Sequence, residues 1–84
     1  MRVLTMDDIM PKVRMCLHNK DFMDRVYGRG GLYEWEIGNS VAVIMKADAE
    51  CYVTRSAIER DEICGIPVRI NFQCPEMVRL WRKV

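Results

Sequence analysis

The stretch Cys64-Gly65-Ile66-Pro67-Val68-Arg69-Ile70-Asn71-Phe72 decides how the rest of the chain is read. Cys64, Ile66, Val68, Ile70 and Phe72 are apolar and recur at every second residue, with Gly65, Pro67, Arg69 and Asn71 between them. That period predicts a strand with one buried and one open face. Pro67 has no amide hydrogen to give to a ladder, so the strand belongs at a sheet edge or turns that side outward. On this reading Ile66 and Ile70 are core residues.

Downstream, Gln73-Cys74-Pro75-Glu76 turns the chain, and Met77–Val84 alternates Val78, Leu80 and Val84 against Met77, Arg79, Trp81 and Lys83. A closing strand is expected. A helix with Pro75 in its first turn is the rival. Upstream, Ser56–Glu62 is charged and reads as a solvated loop. From Val41 to Val53 every odd position is apolar, which favours strands over 41–46 and 51–55. Val41, Ile44, Met45, Ala49 and Tyr52 also suit a helix, so that segment stays open between the two. Gly38-Asn39 suits a two-residue hairpin turn. Tyr33, Trp35 and Ile37 alternate with Glu34 and Glu36, a strand with an aromatic face.

The amino-terminal third is helical in period. Thr5 is placed as N-cap with Asp8 three residues on, and Leu4 and Ile9 fit a hydrophobic staple. Met6, Ile9, Met10, Val13, Cys16 and Leu17 mark one face. Pro11 kinks this helix, unless Asp8 is the true cap and Pro11 lies in the donor-free first turn. The apolar phase breaks at His18–Asp21 and restarts at Phe22, Met23, Val26 and Tyr27. A second short helix is expected, closed by Gly28 in the left-handed conformation, with one continuous bent helix as the alternative. Gly28-Arg29-Gly30-Gly31 lacks phosphate-loop spacing and reads as a turn. The fold class that follows is α+β: two N-terminal helices packed on one face of a small, mainly antiparallel sheet of 3–5 strands.

Eighty-four residues make one small domain with no room for a deep substrate cavity. Half the residues are hydrophobic and 30% charged, an ordinary soluble composition. No signal peptide is visible, and no apolar run approaches the ~18 residues of a membrane span. A cytoplasmic protein without membrane contact is expected. Charge is uneven: residues 1–33 carry a net +2, residues 34–62 a net −4 and residues 63–84 a net +3. Complementary faces are indicated rather than one nucleic-acid-binding field.

The four cysteines, 16, 51, 64 and 74, include no C-x-x-C pair, and His18 is two residues from Cys16. That spacing is poor for zinc. Buried reduced thiols are expected, with no metal and no cofactor. Cys16 and His18 would also point about 200° apart on a helix, so they cannot form a nucleophile–base pair. Glu34 and Glu36 share one strand face, roughly 7 Å apart, and read as a solvated face rather than an acid–base pair. No catalytic residues are assigned, and the protein is not expected to be an enzyme.

Two surfaces stand out. The first holds Tyr33, Glu34, Trp35 and Glu36, aromatic and acidic. The second, if the last two segments form a hairpin, holds Arg69, Arg79, Trp81 and Lys83, with Arg82 close by. Aromatic and arginine side chains of this kind carry interface energy, and an edge strand can add a partner strand. Short length, a chain beginning at Met1 and the lack of a catalytic motif give the sequence a look that resembles small stand-alone accessory proteins of bacterial phages and other mobile elements. The expectation is a small non-enzymatic accessory or regulatory protein that binds, and in the phage-type case inhibits, a larger protein partner such as a host defence system. A homodimer is a variant of this reading. The alternative is a small nucleic-acid-binding regulator using the basic hairpin around Trp81.

Overall fold

A computed structural model describes residues 3–47 and 62–83. Six elements follow in order: α1 (Met6–Tyr27), β1 (Leu32–Gly38), α2 (Asn39–Ala47), β2 (Glu62–Ile63), β3 (Ile66–Asn71) and β4 (Val78–Lys83). The strands form one sheet in the order β2-β3-β1-β4. The architecture is α+β, with both helices packed into a core on one face of the sheet. The sheet is mixed, with two antiparallel ladders, β1–β4 and β2–β3, and one parallel ladder, β1–β3.

The deepest strand is β1, not the Cys64–Phe72 segment. Trp35, Ile37, Ile9, Val13, Val41 and Met45 are the largest fully buried side chains. Ile66, Val68 and Ile70 are only half-buried, and Ile66 and Val68 pack around that cluster. The reason is position: β1 lies between β3 and β4, so its Trp35 and Ile37 have strands on both sides and helices above.

The ends of the expected strand also differ. Cys64 and Gly65 have φ of +54° and +75° and form a two-residue turn that pairs Ile63 with Ile66. Positive φ at both turn residues is the twist a two-residue hairpin favours. Cys64 is therefore exposed, and so are Phe72 and Cys74. The expectation of buried thiols fails for Cys64 and Cys74. Cys16 is half-buried, 3.9 Å from the Val78 carbonyl, and burial raises its thiol pKa. Pro67 lies opposite Glu62 of β2, so β3 is an edge strand only beyond that two-residue ladder, among the described residues.

The helix α1 is continuous, which was the lesser reading. Its inward face does not break at residue 18; it turns polar. Lys20 and Asp24 continue the line of Val13 and Cys16, and both find partners. Lys20 Nζ is 2.9 Å from Asp24 Oδ2, and the Tyr33 hydroxyl donates to Asp24 Oδ1 at 2.8 Å. Phe22 and Val26, expected to start a second apolar face, instead point outward. At the start, the Thr5 amide and hydroxyl both donate to Asp8 Oδ2, at 3.0 and 3.1 Å. Thr5 is thus the cap, and Pro11 lies inside the helix on its exposed side. Gly28 ends it with φ +88° and ψ 155°, a positive φ but not the left-handed helical pair.

Gly38-Asn39 is no hairpin turn, and residues 39–47 are helix rather than strand. Val41 and Met45 are buried one helical turn apart, while Val43, between them in the odd-numbered series, is exposed. Alternation could not separate these cases, because Val41 and Met45 are odd in both. Long-range contacts decide it. The Pro75 carbonyl accepts hydrogen bonds from Ser40 N at 3.1 Å and Val41 N at 3.3 Å, satisfying the open amides at the start of α2. The same loop closes over Gly38, where any Cβ would overlap the Pro75 backbone. The expected strand at 51–55 and most of the loop at 56–62 lie outside the described residues.

Candidate functional site: the helix-free face of the sheet

The two surfaces read from the sequence are one surface. Because β1 pairs with β3 on one side and β4 on the other, Glu36 stands beside both Arg69 and Arg79, and Glu34 beside Trp81. No hairpin joins the last two strands; β1 lies between them. Side chains alternate across a strand. Glu34, Glu36, Arg69, Asn71, Arg79, Trp81 and Lys83 therefore emerge together on the face away from the helices.

Their charges are met within the face. Glu34 takes Lys83 Nζ at 2.9 Å and Arg69 Nε at 3.2 Å. Glu36 accepts from Trp81 Nε1 and from Asn71 Nδ2, both at 2.8 Å, and Arg69 stands 3.7 Å away. Although it belongs to the open face, Glu36 is only 8% exposed, roofed by these neighbours. The Arg79 guanidinium lies 4.0 Å from the Trp81 ring centre. Trp81 remains 40% exposed, so a flat aromatic and its arginine lid are what the β4 side of the face offers to solvent.

The electrostatics follow from those contacts. Hydrogen bonds from Lys83 and Arg69 hold the Glu34 pKa below its ordinary value. Those from Trp81 and then Asn71 do the same for Glu36. Both are carboxylates at neutral pH, and their lone pairs are engaged, which suits them poorly to take up a proton. No group of three or more metal-ligating side chains occurs among the described residues.

Three residues assigned to a partner-binding surface are elsewhere. Trp35 is fully buried under the helices and donates through Nε1 to the Ile63 carbonyl at 3.1 Å. Tyr33 is buried on the same side, tied to Asp24. Their odd register, shared with Ile37, places them on the core face. Arg82 is also on that face, opposite Tyr33, 5.3 Å from the Tyr27 ring. It takes the inward place that alternation gives to the residue after Trp81.

Asn71 is the residue the sequence reading missed. Its amide nitrogen supports Glu36, while its Oδ1 accepts from the backbone amides of Gln73 and Cys74, at 2.8 and 3.0 Å. It thereby links the open face to the loop that caps α2. The signal was present as an asparagine at the end of a strand before a Cys-Pro turn, where such side chains bond to the backbone two and three residues on. Compared with known protein families, curated proteins and solved structures, the chain matches none of them.

Proposed function

We propose that this is a small non-enzymatic regulatory protein that binds a larger protein partner through the helix-free face of its sheet. The observation that carries this reading is the Arg79–Trp81 stack, half-exposed on the outer strand β4 of that face and held by Glu36 of the neighbouring β1. Tryptophan and arginine, held in fixed geometry, are the residue types that dominate interface energetics, and pre-ordering lowers the entropy lost on binding. The nucleic-acid alternative is weakened by the same geometry. Glu34 and Glu36 stand among the cations that phosphates would need, and Lys83 and Arg69 are already engaged by them.

The test is photo-crosslinking from position 81, with exposed Val43 on α2 as control. A benzophenone side chain at 81 should yield a protein adduct of defined mass in cells of the source organism, and Arg79→Ala should reduce it several-fold. Equal adducts from both positions would end this reading. So would adducts to nucleic acid alone.

A further inference from the structure

Where α1 gives way to β1, the loop 28–31 meets the end of β4. A groove of about 340 Å³ lies there, lined by Arg29, Gly30, Gly31, Leu32, Arg82 and Lys83. Three of these side chains are cations and none is an acid. Lys83 is already held by Glu34. Arg29 is exposed and has no carboxylate partner among the described residues. Arg82 is half-buried, its guanidinium 5.3 Å from the Tyr27 ring centre and beside the Tyr33 hydroxyl. It too has no ion-pair partner among the described residues, and its buried Nε has no acceptor. Asp24 acts on it only through space, being taken by Lys20 and the Tyr33 hydroxyl. A guanidinium drawn part-way out of water without a counter-ion is costly, and an anion against it offsets that cost. Gly31 permits the arrangement, since a Cβ there would stand 2.8 Å from Nε and Nη2 of Arg82. At Gly30 a Cβ would meet nothing within 4 Å, so the approach to the groove is open.

We infer that this groove binds the phosphate group of a small molecule, with Arg29 and Arg82 as its two charge partners. The count of unpaired cations favours phosphate over carboxylate. Two arginines match a dianion, and the three acceptor oxygens of a phosphate can take a fork from each, whereas a carboxylate is satisfied by one. The glycines supply no charge; without side chains they let the anion come close to the chain. A nucleic-acid strand fits less well. Asp21 and Asp24 line the hollow that adjoins the groove across Arg29, Gly30 and Gly31, where a continuing backbone would run. Arg82 lies on the opposite side of β4 from Trp81, so the groove is separate from the helix-free face and stands whether or not that face binds a protein.

Nuclear magnetic resonance of the full chain, titrated at fixed ionic strength with inorganic phosphate, pyrophosphate or acetate, tests this. Both phosphates should give saturable shifts at the Gly30 and Gly31 amides and at Arg82 Nε, half-complete at about 1 mM or below. Acetate should act roughly tenfold more weakly. Arg29→Ala should raise the half-saturating concentration of pyrophosphate roughly fivefold or more, and so should Arg82→Lys, which keeps the charge but loses the fork. Arg79→Ala, on the other side of β4, should leave it unchanged. Arg29 is exposed and unpaired, and amide resonances away from the groove check that its variant keeps the fold. Shifts that fail to saturate, that acetate reproduces, or that persist unaltered in Arg29→Ala overturn the inference. So does equal weakening by Arg79→Ala, or an oligonucleotide without a terminal phosphate that binds more tightly than pyrophosphate.

Discussion

At the scale of single residues, the two tryptophans separate cleanly. Trp35 has no exposure and spends its one polar hydrogen on the Ile63 carbonyl. Trp35→Phe keeps most of the ring volume but removes that hydrogen bond from the core, at a cost of about 1 kcal/mol. Urea denaturation should show a clearly lower midpoint. Trp81→Phe also loses a hydrogen bond, to Glu36, yet Trp81 is itself half-exposed, and the smaller ring lets water reach the carboxylate in its place. Its midpoint should move less. A Trp35→Phe variant as stable as the wild type would mean the buried bond is not contributing. The sequence showed both residues as aromatics in strands; which face each occupied depended on register, and for Trp81 the alternation was read correctly. For Trp35 it was also visible, because Ile37 shares its phase. What misled was treating Glu34 and Glu36, which face the other way, as part of the same surface.

At the scale of elements, α1 carries an internal proline that the fold tolerates without needing. Pro11 removes the amide that would bond the Asp7 carbonyl, and its ring crowds the preceding turn. It sits on the exposed side, where water can serve that carbonyl. Pro11→Ala should therefore stabilise the protein, by roughly 1–2 kcal/mol once the greater freedom of the unfolded chain is offset. A raised thermal midpoint checks this; an unchanged or lower one would show that Pro11 has a packing role. The continuity of α1 was harder to read, because Lys20 and Asp24 interrupt the apolar line. They are accepted there because they pair with each other and Tyr33 arrives from β1 to bond Asp24. Helix α2 was ambiguous for a related reason. Nine residues form a marginal helix alone, and its start is completed by the Pro75 carbonyl from the far end of the chain.

At the scale of the whole molecule, carboxylates tie strands to one another and helix to sheet. Glu34 joins β1 to both flanking strands, Glu36 does the same, and Asp24 joins α1 to β1. All three have pKa values held down in the folded state: Glu34 chiefly by Lys83, Glu36 by Trp81, Asp24 by Lys20. A depressed folded pKa adds stability above the unfolded value, and that stability disappears as pH falls through the folded one. The urea midpoint should thus hold from pH 7 to about 5 and fall below it, as the ordinary glutamate range is entered. Glu36→Gln should be less stable at pH 7 and lose less on acidification. A wild-type midpoint unchanged between pH 5 and 3 would show that the network is not stabilising.

From the chain alone came the α+β class, the Thr5–Asp8 helix start, strands within 33–37, 64–72 and 77–84, the last two longer than those formed, and the shared open face of Arg69, Arg79, Trp81 and Lys83. These are consequences of local period and capping chemistry, which neighbouring residues carry between them. The tertiary structure decided which strand lies at the centre, that α2 is a helix, and that the acidic and basic surfaces are one. Each of those depends on contacts between segments tens of residues apart. Once β1 pairs with β3 on one side and β4 on the other, Glu34 and Glu36 must fall among the cations. No local pattern in 84 residues specifies that pairing order.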